Sequence, residues 1–376
     1  MFTAGADDDH VMCRMLGQVS AAVWREDFWL PNNYTWDDLQ NNEELQYPSS
    51  YEVWLYPVVI GALLALLNHW WLEPSVIAPL AKWAGLSALK PPHPPNNSTL
   101  ESLYKHYSTK VPQSILEEAS RTQSMGLQEA ERWLRDRKRA DRTTKYDIFL
   151  TLGTSLIYNV LFLLGAVAVV SNKPWLWNIR LCWEGYPILP VGRGVRWNYL
   201  LITAHYYCLL MSEAIRPRRK NDGRLKIMLH HVFTLQLLTF SWVCNFTRVG
   251  MLVLLVHLVA DIPLLIAKMC KYAGREAAAN VFFACFLLSW LATRCYLYPF
   301  WVMHSVFFEA TAYMFMPSAY VFLSLLIALL GLNLSWTFLI LRMVFRTFIT
   351  NTPLRDLHDD DDEDDENGQR RETKRE

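Results

Sequence analysis

The sequence predicts an all-α polytopic membrane bundle of about seven transmembrane helices, interrupted by a small helical cytosolic insert. Three observations carry that expectation. The 376 residues are 52% apolar and 14% aromatic, and the apolar residues gather in windows fit to cross a hydrocarbon core of about 30 Å, which takes roughly 20 helical residues. Lysine and arginine concentrate in alternate connecting segments, the pattern of the positive-inside rule. Polar side chains within two of the windows share a helical face, as the wall of an intramembrane cavity would require.

Taken in order, residues 1–52 form an N-terminal region that carries Asp7–Asp9 and no apolar leader. The segment 53–72 is the first span and serves as signal-anchor. Residues 92–142 form the insert, entered through the proline cluster Pro91-Pro92-His93-Pro94-Pro95, and apolar periodicity then gives helices over Leu100–Tyr107, Pro112–Ser120 and Leu127–Arg142. A membrane domain follows over 147–346, with spans at 147–170, 197–215, 227–246, 249–267, 277–298 and 318–341. Pro263 predicts a kink in the fifth span. The tail 351–376 contains the unbroken acidic run Asp359–Glu366 and is expected to be disordered.

The formal net charge of zero hides segregation. Basic residues crowd 73–146, the loop Arg216–Lys226 and the set Lys268, Lys271 and Arg275, whereas 299–317 has no Lys or Arg. The basic loops are therefore placed in the cytosol, the N-terminus in a lumen and the C-terminus in the cytosol. The loop 171–196, with Lys173, Arg180, Arg193 and Arg196, runs against that trend. Sequons occur at Asn33, Asn96, Asn97, Asn245 and Asn333; Asn33 alone is both luminal and clear of the membrane, so it is the expected glycosylation site.

The stretch Trp133-Leu134-Arg135-Asp136-Arg137-Lys138-Arg139 in the insert resembles the recognition helix of a homeodomain. Asp136 stands where that family carries its adenine-reading asparagine, and a carboxylate only accepts hydrogen bonds and repels phosphate. No sequence-specific DNA binding is expected. The basic residues suit anionic headgroups instead.

The chemistry is expected inside the bilayer, where ionisable groups are costly and usually functional. With His230 at zero on a helix of about 100° per residue, Ser241 falls near 20°, Thr234 near 40°, Asn245 near 60° and Arg248 near 0°, with His231 flanking. On the next helix Asp261 lies about 40° from His257 and Lys268 about 20°. His257 and Asp261 have a spacing that could hold a metal, but no HExxH signature accompanies them, so neither metal nor cofactor is expected.

These residues also carry a resemblance. The pattern His230, His231, Thr234, Leu237, Ser241, Asn245, Arg248, Gly250, Leu252, His257, Asp261, Leu264, Lys268 and Tyr272 is similar to the Lag1 motif of ceramide synthases, within the wider TRAM-LAG1-CLN8 membrane domain. Trp29-Leu30-Pro31, Lys173-Pro174-Trp175 and Trp183-Glu184-Gly185-Tyr186-Pro187 resemble the family's luminal segments, and the insert resembles its truncated homeobox-like piece. The resemblance implies N-acylation of a sphingoid base (sphinganine or sphingosine) by fatty acyl-CoA, giving (dihydro)ceramide. It further implies an endoplasmic-reticulum membrane location and homo- or heterodimers with related synthases, and it places the segment setting acyl length at about Ser305–Pro317.

For that reaction His230 is a candidate general base or transient acyl carrier, with His231 orienting it or shuttling the proton. His257 and Asp261 are a candidate base–orienter couple, with Asp261 alternatively holding the amine. Ser241 and Asn245 are candidates for the oxyanion, and Arg248 and Lys268 for substrate binding. One position departs from the family: Leu258 stands where an aspartate is usual. The alternative reading is therefore a catalytically impaired member that binds or senses lipid.

Overall fold

The computed structural model describes residues 22–350, apart from 41–44, 46, 110, 142–143 and 216–221. Both the acidic tail and most of the basic loop Arg216–Lys226 lie outside the described residues, as does Arg142. The main helices are α1 (Ser50–Trp83), α2 (Ser98–Tyr107), α3 (Gln113–Thr122), α4 (Leu127–Ala140), α5 (Lys145–Val170), α6 (Arg193–Ile215), α7 (Asp222–Val243), α8 (Thr247–Tyr272), α9 (Glu276–Tyr313) and α10 (Ala319–Thr350). Among the described residues there is no strand.

Among the described residues, five helices are long and apolar enough to cross a membrane: α1, the run ending at Val170, α8, α9 and α10 over Ala319–Thr347. The expected spans at 197–215 and 227–246 are helical as α6 and α7, and each is of spanning length at about 1.5 Å per residue. They fall short in apolarity because α6 carries Arg193, Arg196, His205 and Glu213, while α7 carries Lys226, His230 and His231. α8 continues as helix through Pro263. One further expectation is corrected. α9 passes Pro299 in π-helical turns over Leu291–Met303 and Ser305–Glu309, so much of the expected loop 299–317 is helix. A wide π turn relaxes the hydrogen-bond demand that proline cannot meet.

Two compact units emerge. The first comprises the chain up to Leu64, Phe162–Ala260 and the part from Leu288 onward. Within it α7 packs against α6 and α10. Gly61 of α1 lies against α6 so closely that a Cβ would stand 2.6 Å from the Ala204 carbonyl oxygen, the close backbone approach that small residues permit in membranes. Glu52 and Arg196 form a two-pronged ion pair. The segment 22–40 packs against this unit: the Trp29 ring lies tilted against Trp24 at 5.0 Å and Phe240 at 5.1 Å between ring centroids, and the Ser318 amide donates to the Phe28 carbonyl at 2.9 Å. Asn33 is exposed there, at a φ of 74°.

The second unit comprises Ala65–Leu161 and Asp261–Leu287. Ile77, Ala81, Phe149 and Met269 form one of its cores, and the Tyr158 hydroxyl donates to the Asn68 amide oxygen at 2.8 Å. The insert has its own core of Leu100, Leu116, Ala130, Trp133 and Leu134. Its three helices match the expected ones to within about two residues. Asn97 caps α2 by accepting from the Leu100 amide at 3.1 Å. The Trp133 indole donates to the Pro95 carbonyl at 2.7 Å, which ties the proline cluster to α4. Arg137, expected among the headgroup-facing bases, turns inward: it binds Glu101 in two-pronged fashion at 2.8 and 3.1 Å and also pairs with Asp141. Asp136 is exposed.

Candidate active site

Within the first unit α6, α7, α8, α9 and α10 surround a cavity of about 1000 Å³, its open mouth included. The walls are mostly aliphatic, aromatic and methionine side chains, with His230, Thr234 and Ser241 of α7 and His257 of α8 among them. Because His230 and Ser241 are eleven residues apart on one helix, the cavity follows α7 for about 16 Å. Trp183, Met314 and Met316 also line it. Against His230 stands the Trp336 ring at 5.4 Å between centroids.

The aligned polar stripe is thus real over α7. The Thr234 hydroxyl donates back to the His230 carbonyl at 2.8 Å, and Ser241 Oγ donates to the Leu238 carbonyl at 3.0 Å while lying 3.3 Å from the Tyr199 hydroxyl. Nδ1 of His230 and Nδ1 of His231 are both buried and make no hydrogen bond to the described residues. The two rings are 5.8 Å apart between centroids, and His230 alone of the pair lines the cavity. A buried ring nitrogen without a protein partner is unusual and is what a proton-transfer or nucleophilic histidine has to offer.

Beyond Val243 the stripe stops, which corrects the expectation for Asn245 and Arg248. α7 ends, Asn245 takes a left-handed φ of 58°, and α8 begins at Thr247, so the two residues no longer follow the α7 face. Asn tolerates that conformation and commonly terminates helices. Its amide donates to the carbonyls of Pro187 at 2.9 Å and Leu189 at 2.8 Å. Arg248 donates to the Leu181 carbonyl at 2.7 Å. Both side chains fasten the loop 171–196 rather than meeting the cavity. That loop also stacks Tyr186 on Phe246 at 4.6 Å and hydrogen-bonds the Trp183 indole to Ser305 at 2.8 Å. Burial pushes the Cys182 thiol up to about 12, so it is not a thiolate near neutrality.

The expected couple of His257 with Asp261 is likewise not what holds the ring. Nδ1 of His257 lies 2.7 Å from the Val253 carbonyl oxygen, and Nε2 lies 3.4 Å from the Asn333 amide nitrogen. Asp261 and Lys268 continue α8 in the second unit and are not among the lining residues. Leu258 is buried, 7% exposed. Among the described residues no three His, Cys, Asp or Glu side chains come together as metal ligands.

Sequence reasoning missed Arg294 and read Asn333 only as a sequon. Arg294 is 3% exposed and Asn333 1%; the guanidinium donates to the His257 carbonyl at 2.8 Å and to Asn333 Oδ1 at 3.2 Å. The signal was present, because Arg294 is the only Lys or Arg in 277–298 and a charge inside a span is a functional suspect by default. Tyr199, whose hydroxyl also reaches the Thr247 carbonyl at 3.3 Å, was missed for want of any such marker.

Residues 149–342 match the TRAM-LAG1-CLN8 family, described as the TLC domain. Ceramide synthase 3 of Homo sapiens is 30% identical over 340 residues, covering 90% of this chain and 87% of its own length. Ceramide synthase hyl-1 of Caenorhabditis elegans is 31% identical over 352 residues, covering 90% and 83%; ceramide synthase 5 of Homo sapiens is 28% identical, covering 90% and 86%. With the TLC domain matched over 149–342 and likeness extending over nine-tenths of its length, this chain belongs to the TLC-domain family of ceramide synthases.

Proposed function

We propose that this protein N-acylates a sphingoid base with fatty acyl-CoA, using His230 as the histidine that meets the reacting atoms. The observation that carries the reading is His230 itself. It is a half-buried histidine whose Nδ1 is buried and unengaged among the described residues, set in the wall of a long, mostly apolar cavity. An acyl chain gains roughly 0.8 kcal/mol per buried methylene in such a place, so the cavity binds the tail while His230 attends the head.

In the step itself the amine nitrogen attacks the thioester carbonyl carbon. The C–N bond forms, the C–S bond breaks, and the sulfur leaves as coenzyme A thiol. The attacking group is the neutral amine: His230 takes the one proton its nitrogen sheds on becoming an amide and gives it to the departing sulfur, so atoms and charge balance without a cofactor or metal. The same ring could carry the acyl group between thioester and amine; His231 lies beside it as the neighbouring proton acceptor. Ser241 lies about 16 Å along α7 from His230, too far to serve the oxyanion of a carbonyl that His230 attends.

The wider setting belongs to the same reading: seven spans including α6 and α7, an endoplasmic-reticulum membrane, a homo- or heterodimer with related synthases, a luminal N-terminus glycosylated at Asn33, and a cytosolic C-terminus. The basic loops then face the side from which the anionic coenzyme A headgroup arrives. The test is ceramide formation by purified protein from a sphingoid base and a panel of acyl-CoAs, beside His230→Ala. Product from the native chain, lost in the variant, supports the assignment and shows that Leu258 is tolerated. No product from any acyl-CoA would transfer the case to a lipid-binding member.

A further inference from the structure

Arg294 is a full positive charge 3% exposed inside a membrane helix, and what it holds can be followed atom by atom. A guanidinium has five N–H donors and no acceptor. The atom of Asn333 that faces it at 3.2 Å is therefore the amide oxygen, and the amide NH₂ must point the other way. There it meets Nε2 of His257 at 3.4 Å. An NH₂ group only donates, so Nε2 must be the lone-pair nitrogen. The ring proton is then on Nδ1, where it is donated to the Val253 carbonyl oxygen at 2.7 Å. An imidazolium would set an N–H of Nε2 against the N–H of Asn333, a contact of two donors.

The rest of the surroundings hold this chain in place. A second Arg294 nitrogen binds the His257 backbone carbonyl at 2.8 Å, so one cation grips both the main chain of His257 and the amide that reads its ring. The guanidinium lies over the Trp290 indole at 4.8 Å, a cation–π contact, and that indole donates to Thr337 at 2.9 Å. The Tyr298 ring stands edge-on to His257 at 5.0 Å between centroids. The titratable and charged groups facing His257 are thus His230 from α7 and Arg294 and Tyr298 from α9; α10 contributes the neutral Asn333.

We propose that Arg294 and Asn333 form a tautomer lock that keeps His257 neutral with its proton on Nδ1. His257 is thereby a positioning residue of the cavity wall, and proton transfer falls to His230. The last clause rests on the N-acyltransferase reading; the lock does not. The lock explains why a charge is kept inside the bundle: it makes one of two nearby histidines unable to take the proton, so only one ring competes for it.

The experiment is ¹⁵N NMR of histidine-labelled full-length protein in lipid nanodiscs, with His257 assigned by the signal lost in His257→Gln. The expected native result is the neutral Nδ1–H tautomer persisting from about pH 5 to pH 8, the range in which a free histidine titrates. In Asn333→Asp a same-sized carboxylate can only accept, so the ring should move its proton to Nε2 or gain a second one. Turnover should fall by about tenfold or more with KM little changed, and its pH profile should shift. Asn333→Gln, which keeps the amide, should preserve more of both signals. A native His257 found as the Nε2–H tautomer, or titrating freely, overturns the lock, and so does an Asn333→Asp spectrum unchanged from native. A locked tautomer in a protein that makes no ceramide keeps the lock and removes the acyltransferase reading instead.

Discussion

Helices α4 and α7 show the same rule working in opposite directions. On α4 of the insert, Ala130, Trp133 and Leu134 point into a core, and the charged residues among them stay largely at the surface, Asp136 fully exposed. On α7 most of the surface is apolar, and the polar residues His230, Thr234 and Ser241 face an internal cavity. Water rewards burial of carbon on the one helix. A hydrocarbon surround removes that reward and makes inward-facing polar groups the only tolerable arrangement on the other. An amphipathic pattern therefore marks the packed core in the insert and the internal cavity in the membrane domain. It follows that substitutions on α4 should read out as stability, and those on the α7 stripe as activity.

The largest expected effect lies on the membrane side. His230→Ala should lower ceramide formation by about 10² to 10⁴, the usual worth of a proton-transfer group, while leaving detergent-solubilised protein folded by circular dichroism. Unfolding of that variant would put His230 with the packing residues and erase the contrast. Next comes the insert: Trp133→Ala removes the largest member of its core and the hydrogen bond to Pro95, with an expected loss of about 3–5 kcal/mol. Hydrogen exchange over 98–140 in the full chain should show that region opening while the membrane helices keep their protection.

Gly250→Ala tests how sharply the cavity wall is fitted. The Tyr199 hydroxyl occupies the place a Cβ would take, and Tyr199 also lies against Ser241. Overpacking there should cost about 1–3 kcal/mol, seen as a lower melting temperature together with altered turnover.

The smallest effect is electrostatic and belongs to the insert. The hydrogen bond from Arg137 holds the Glu101 carboxyl below its ordinary value of 4.5. A depressed folded-state value means the pair stabilises the insert above the unfolded carboxyl range, and the benefit is lost as pH falls through the lower folded value. Glu101→Gln should cost about 0.2–1 kcal/mol near neutrality and little at acid pH, as measured by exchange rates of the α2 and α4 amides at both conditions.

The sequence by itself determined the membrane class, most of the long helices and the His230–Thr234–Ser241 part of the α7 stripe. Hydropathy and helical period are local properties that each residue carries with it. It also marked His230, His231 and His257, because ionisable residues stand out against an apolar background. Only the tertiary structure decided which of those groups serve the site. Asn245 and Arg248 sit on the stripe if the helix is continued, but a left-handed residue ends α7 before them and hands both to the loop. Leu181, Pro187 and Leu189 supply their partners from more than fifty positions away, a distance that no local period reports. Likewise Arg294 and Asn333 lie on α9 and α10, and nothing in either segment names His257 as its partner. The bundle joins them because a buried charge and a buried amide have nowhere else to satisfy their hydrogen bonds.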